Sequence, residues 1–122
     1  MARILVVDDS EMIRLMLRRI LEDAGHQVLE AQDGNQALEV FASSPCDLAF
    51  VDIFMPGKEG LSTIRELLGK RPSLPVAAIS AGSTFTDTET LDWARNYGAA
   101  KTLAKPLSEA KILETVAELL GR

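Results

Sequence analysis

Five polar or charged residues stand where short apolar runs of this sequence end, and they are Asp8, Asp9, Asp52, Ser80 and Lys105. Short uninterrupted apolar runs are typical of strands in a buried parallel sheet. The carboxyl ends of parallel strands meet at one edge of the sheet, where open α/β proteins bind their ligands. The sequence therefore predicts that three carboxylates, a hydroxyl and an ammonium group lie close together.

Three carboxylates in one place repel one another and raise one another's pKa unless a cation joins them. A site made only of oxygen ligands, with room for water, suits Mg²⁺, which takes few ligands from the protein. Lys105 and Ser80 would add a positive charge and a hydrogen-bond donor for a phosphoryl group. These residue types predict that Asp52 is a carboxylate nucleophile of the kind that forms an aspartyl phosphate.

The elements that must position these side chains are five strands and five helices. The predicted strands are Ile4–Val7, Val28–Ala31, Leu48–Val51, Val76–Ser80 and Lys101–Ala104. Helical spacing of apolar residues and end signals predict helices that span Ser10–Gly25, Gly34–Phe41, Leu61–Gly69, Asp87–Tyr97 and Ser108–Leu120.

Particular residues are expected to begin helices or to turn the chain. Ser10 and Ser108 are predicted N-caps, because a serine hydroxyl accepts a hydrogen bond from the first helical turn. After Asp52, proline at position 56 cannot continue a strand ladder. Gly57 and Gly60 are expected to turn the chain there, since glycine adopts backbone angles that other residues avoid.

The alternation of strands and helices predicts an α/β fold. Right-handed crossovers then require a doubly wound parallel sheet with helices on both faces. No repeat, linker or low-complexity tract divides the 122 residues. We therefore expect one domain over residues 1–122, without a separate output domain.

Charge and composition restrict the possible partners. The net charge of −5 argues against nucleic acid or an anionic membrane as a partner. Cys46 is the only cysteine, so an intramolecular disulfide is impossible and a reducing compartment is the simpler interpretation. No apolar run approaches the ~20 residues that a membrane span needs. The expected location is the cytoplasm.

From Ala2 to Leu120 the chain resembles the receiver domains of two-component response regulators. The resemblance rests on four elements in order, which are Ile-Leu-Val-Val-Asp-Asp-Ser from Ile4, Asp-Ile-Phe-Met-Pro-x-x-x-Gly from Asp52, Ser-Ala from Ser80, and Lys-Pro from Lys105. Each element is weak by itself, but the four at these spacings are highly specific. The resemblance implies the flavodoxin-like strand order 2-1-3-4-5.

The resemblance also implies roles for the acidic residues. Asp52 is expected to accept a phosphoryl group from a phosphohistidine on a sensor histidine kinase or a histidine phosphotransfer protein. Asp9, Asp52 and the backbone carbonyl of Phe54 are expected to bind Mg²⁺ directly, and Asp8 through water. The chemistry is that of a phosphoacceptor rather than an enzyme with its own substrate.

Lys105 and Ser80 are expected, again by resemblance, to respond to the phosphoryl group. Lys105 would pair with Asp52 and then with the phosphoryl oxygens. The peptide bond from Lys105 to Pro106 would be cis, which directs the lysine back toward the site. The Ser80 hydroxyl would move to the phosphoryl group and draw the following loop with it. The output would be a protein contact on the face formed by helix 4, strand 5 and helix 5 of the prediction, in a monomer or weak dimer.

Thr102 departs from what many relatives carry, and Phe54 and Gly82 bear on the lifetime of the phosphoryl group. Thr102, three residues before Lys105, replaces a common aromatic residue, so we expect signalling through the segment after Ser80 instead. Phe54 and Gly82 stand where the family flanks the path of the hydrolytic water, and neither side chain can orient water. Slow loss of the phosphoryl group is therefore expected.

Other functions must be weighed beside the switch. A phosphorelay intermediate or a phosphate sink would use the same residues. An aspartyl-phosphate phosphohydrolase of the haloacid dehalogenase type needs a second acid two residues after the nucleophile, where this chain has Phe54. A flavin- or nucleotide-binding module would need backbone donors after the first strand, where Asp8 and Asp9 would repel a phosphate.

Overall fold

The computed structural model describes residues 2–53, 59–80 and 98–121. Its strands are β1 (Arg3–Val7), β2 (Gln27–Ala31), β3 (Leu48–Asp52), β4 (Val76–Ser80) and β5 (Lys101–Ala104). Its helices are α1 (Glu11–Asp23), α2 (Gly34–Ser43), α3 (Glu59–Lys70) and α4 (Glu109–Leu120). The helix predicted from Asp87 to Tyr97 lies outside the described residues. None of the four described helices has the length and apolar character needed to cross a membrane.

The five strands form one parallel sheet in the order β2-β1-β3-β4-β5. This confirms the predicted fold and strand order, with β2 at one edge. All five residues of β3, and all five of β4, are buried. The order of the strands reverses between β1 and β3, and this reversal is the point where open α/β sheets bind ligands.

Alternate residues of each strand point to opposite faces of the sheet. In β1, Leu5 and Val7 belong to a core cluster with residues of α2 and α3, whereas Ile4 and Val6 belong to a second cluster with residues of α1 and α4. Because helices cover both faces, the interior positions of the three central strands, β1, β3 and β4, are apolar. The polar residues of these three strands are consequently placed at their ends.

The predicted helix ends agree with the structure. Ser10 Oγ accepts a hydrogen bond from the Ile13 amide at 3.3 Å, and Ser108 Oγ accepts one from the Lys111 amide at 3.2 Å. Gly25 follows α1 with a φ of 94°, a left-handed conformation that favours glycine after a helix. Both serines are therefore confirmed as N-caps, and Gly25 ends the first helix as predicted.

Candidate functional site

The predicted site residues lie at the carboxyl edge of the sheet. Asp52 and Ser80 are the last residues of β3 and β4, Asp8 follows β1, and Lys105 follows β5. Hydrogen bonding between strands continues to this edge, because the Ser80 carbonyl accepts from the Lys105 amide at 3.0 Å. The fold therefore fixes the backbone positions from which these side chains extend.

The three aspartates form a compact acidic cluster. One carboxylate oxygen each from Asp8, Asp9 and Asp52 lies within 4.8 Å of the others. Asp8 and Asp52 are buried, whereas Asp9 is exposed. The Lys105 ammonium lies 3.5 Å from Asp8 Oδ2 and 3.6 Å from Asp52 Oδ2. Since one ammonium lies beside two of the three clustered carboxylates, negative charge remains in excess and the cluster can accept a further cation.

Asp8 is the acid whose proton affinity the fold changes most clearly. Burial raises the pKa of its carboxyl group to about 6, and the charges of Asp52 and Asp9 add to the rise. The Ser10 amide, which donates to Asp8 Oδ1 at 2.8 Å, and the Lys105 ammonium both oppose it. Without a bound cation, the ionised cluster therefore destabilises the fold at neutral pH.

This pKa predicts how stability depends on pH in the absence of divalent cations. The unfolded carboxyl group has a pKa near 3.8, so the folded protein binds the Asp8 proton more tightly than the unfolded chain does. Protonation of Asp8 therefore stabilises the fold fully below pH 3.8, and this stabilisation is lost as the pH rises through about 6. When the pH falls from 7 to 5, the free energy of unfolding of the wild type should rise by about 1 kcal/mol because of Asp8.

Chemical denaturation in EDTA would measure this effect in Asp8→Asn. The amide can still accept from the Ser10 amide, but it carries no charge, so the variant should be more stable than the wild type at pH 7, by up to about 3 kcal/mol. Its advantage should shrink toward pH 5. Asp23→Asn, at an exposed position of α1, is the control and should follow the wild type. Parallel pH curves for Asp8→Asn and the wild type would contradict the assignment.

Two buried polar atoms remain unsatisfied within the described part of the chain. Neither Asp8 Oδ2 nor Ser80 Oγ has a hydrogen-bond partner there. Leaving a buried polar atom without a partner costs about 1–3 kcal/mol. Among the described residues, Asp8 Oδ2 has only the ion pair with Lys105 at 3.5 Å, so a metal ion beside the carboxylate, and an anionic oxygen beside the Ser80 hydroxyl, would reduce that cost. All the available side-chain ligands are hard oxygens, so the residues fit Mg²⁺.

Arg14 contacts the backbone of the site, although sequence analysis did not identify it. Its Nη1 donates to the Asp8 carbonyl oxygen at 2.7 Å, and its Nε donates to Glu30 Oε1 at 3.1 Å. The signal in the sequence is slight, since Arg14 is one of several basic residues on an amphipathic helix. Only its contact with the strand end distinguishes it.

The prediction for Gly60 was wrong in its physical reason. Gly60 lies inside α3 and is not among the left-handed glycines of the described residues, which are Gly25, Gly98 and Gly121. A Cβ atom at this position would instead overlap the Asp52 carbonyl oxygen and the Ile53 Cα. Glycine is needed because the first turn of α3 packs directly on the backbone of the Asp52 strand end.

Comparison with known proteins identifies the family. The response regulator receiver domain family matches residues 4–117. The chain belongs to this family. As a receiver domain it is part of two-component signalling, in which such domains act as switches.

Individual relatives agree with this assignment. CcdB of Bacillus subtilis is 35% identical over 122 residues, and the match covers 99% of both proteins. The sensory/regulatory protein RpfC of Xanthomonas campestris pv. campestris is 39% identical over 121 residues, but the chain spans only 16% of it. The receiver domain of NtrX from Brucella abortus has a similar structure, with a TM-score of 0.89, 33% identity, and coverage of 97% of this chain and 98% of that one.

The structure describes some, but not all, of the residues for which the family resemblance implied a particular feature. The Lys105–Pro106 peptide bond is cis, as the resemblance implied. Thr102 lies in β5, pairs with Ala78 of β4 and is half-buried. Phe54 and Gly82 lie outside the described residues, as does most of the segment between Ser80 and β5.

Proposed function

We propose that this receiver domain is a phosphoacceptor switch in which Asp52 takes a phosphoryl group from a phosphohistidine on a histidine kinase or phosphotransfer protein. The observation that carries the proposal is the cluster at the end of β3. There the buried Asp52 carboxylate lies 3.6 Å from the Lys105 ammonium and beside two further aspartates. This is the arrangement a carboxylate nucleophile needs when its substrate carries several negative charges.

Mg²⁺ is the proposed cofactor. Asp9, Asp52 and the backbone carbonyl of Phe54 would hold it directly, with Asp8 acting through water. The proximity of the three carboxylates and the excess of negative charge over Lys105 support this assignment. When bound, the ion would neutralise carboxylate and phosphoryl oxygens that otherwise repel each other.

The protein's own groups then have distinct roles in the transfer. An Asp52 carboxylate oxygen forms a bond to phosphorus as the bond from phosphorus to the histidine nitrogen breaks. The Lys105 ammonium, already between two carboxylates, pairs with the transferred phosphoryl oxygens. The buried Ser80 hydroxyl donates a hydrogen bond to one of them and thereby gains a partner.

The phosphorylated state would change a protein-binding face. We propose the surface of β5 and α4, together with the helix predicted from Asp87 to Tyr97, as that face. Lys101 of β5 joins the two described elements, since its Nζ lies 2.7 Å from Glu118 Oε1 and 3.8 Å from Glu114 Oε1. Because Phe54 and Gly82 cannot orient a water, the phosphoryl group would leave slowly without a partner or reverse transfer.

Labelling by a small phosphodonor tests the proposal. Incubation with acetyl phosphate and Mg²⁺ should add one phosphoryl group to the wild type, measured by intact-mass spectrometry. The same incubation with EDTA should add none, because the carboxylates would repel the donor. Labelling that is equal with and without Mg²⁺ would contradict the proposed cofactor, and no labelling under either condition would contradict the proposed chemistry.

A further inference from the structure

Arg14 holds the peptide that joins two of the clustered aspartates. The Asp8 carbonyl oxygen, which accepts from Arg14 Nη1 at 2.7 Å, belongs to the peptide unit between Asp8 and Asp9. Peptide units are planar, so fixing this oxygen also fixes the direction of the Asp9 amide. Asp9 is exposed, and burial therefore does not hold its side chain in place. The position of its carboxylate depends on the backbone that precedes it.

Two further hydrogen bonds of Asp8 hold the backbone on either side of this peptide. The Asp8 amide donates to the Ala31 carbonyl of β2 at 3.1 Å, and Asp8 Oδ1 accepts from the Ser10 amide at 2.8 Å. Arg14 adds the contact at the peptide that leads to Asp9. The contacts are complementary, because the strand pairing fixes the amide of Asp8 and the guanidinium fixes its carbonyl.

Glu30 of β2 sets the orientation of the Arg14 side chain. Arg14 Nε donates to Glu30 Oε1 at 3.1 Å, and the Arg14 side chain is only 14% exposed. A planar guanidinium presents several N–H groups in fixed directions, so it can bind a carboxylate and a carbonyl together. A lysine has one nitrogen and cannot reproduce this rigid pair of contacts.

We infer that Arg14 is a positioning residue for cation binding. Arg14, Glu30 and the Asp8 carbonyl form an arginine clamp, which fixes the Asp8–Asp9 peptide so that the exposed Asp9 carboxylate faces Asp8 and Asp52. The inference rests on the proposed function, in which Asp9 binds Mg²⁺ directly. Groups that orient metal ligands without touching the metal typically change its affinity by about 10–100-fold when they are replaced.

Arg18 provides a matched control on the same helix. It pairs with the other oxygen of Glu30, Oε2, and its Nε lies 3.0 Å from Glu22 Oε2. Arg18 thus shares helix α1 and the Glu30 partner with Arg14, but its described contacts do not include the Asp8 carbonyl. Replacing either arginine by methionine removes an ion pair to Glu30 and keeps an unbranched side chain.

The test is Mg²⁺ binding by isothermal titration calorimetry, with thermal unfolding in EDTA as a second readout. Arg14→Met should weaken Mg²⁺ binding by about tenfold or more. Arg18→Met should stay close to the wild type, and Arg14→Lys should fall between the wild type and Arg14→Met. In EDTA both methionine variants should lose stability through the lost pairing with Glu30, and Arg14→Met should lose more, since its side chain is less exposed and also loses the hydrogen bond to the Asp8 carbonyl.

Each outcome bears on the inference. Equal Mg²⁺ affinity in Arg14→Met and the wild type would overturn the arginine clamp, and so would equal weakening by Arg14→Met and Arg18→Met. If Arg14→Met did not fold, unchanged affinity in Arg14→Lys would overturn it and weakened affinity would support it. A wild type that bound no Mg²⁺ would overturn the proposed function as well, which separates the two failures.

Discussion

Asp52→Asn should abolish labelling of this receiver domain by acetyl phosphate in the presence of Mg²⁺. An amide is a poor nucleophile, so the variant cannot form the acyl phosphate bond at this position. The loss should be complete within the sensitivity of intact-mass spectrometry. The variant should still fold, because removing one of the clustered carboxylates reduces repulsion around Asp8.

Asp23→Asn is the matched control for this experiment. Asp23 is exposed at the last residue of α1, whereas the site lies at the other end of this helix. The control changes the same chemical group and should be labelled like the wild type. If Asp52→Asn accepted the phosphoryl group as readily as the control, another residue would be the acceptor and the assignment would fail.

Gly60→Ala should destabilise the protein by about 1–3 kcal/mol or more and should also slow labelling of Asp52. The added Cβ would overlap the Asp52 carbonyl oxygen and the Ile53 Cα. These are backbone atoms of a buried strand end, so they cannot rotate away as a flexible side chain would. Overpacking of this kind typically costs a few kcal/mol, and the strain would displace the acceptor residue itself.

Gly69→Ala is the matched control, and it should change stability in the opposite direction. Gly69 lies in the same helix, is exposed, and an added Cβ would meet no atom within 4 Å. Replacing a helical glycine by alanine in open space should stabilise by about 0.5–1 kcal/mol. Urea denaturation should therefore move the two variants in opposite directions. Stabilisation by both substitutions would show that α3 does not pack on the Asp52 strand end as described.

The strand ends, and the residues that meet beyond them, could be predicted from the sequence alone. An apolar run that stops at a charged residue is local information, and Ile4–Val7 followed by Asp8 illustrates it. The N-caps Ser10 and Ser108 are equally local, because a cap requires only the following turn of helix. Strand order, in contrast, came from resemblance to the family, since periodicity does not specify which strands are neighbours.

The tertiary structure decided how these local elements meet. Asp8 and Asp9 are adjacent in sequence, yet packing buries the first and exposes the second, and the pKa of Asp8 rises as a result. Gly60 belonged to a motif, but only the approach of α3 to β3 gave the physical reason for glycine. Arg14 reaches a backbone carbonyl six residues earlier while paired with Glu30 sixteen residues later. Such contacts depend on helix packing and side-chain direction, which residue type and spacing leave undetermined.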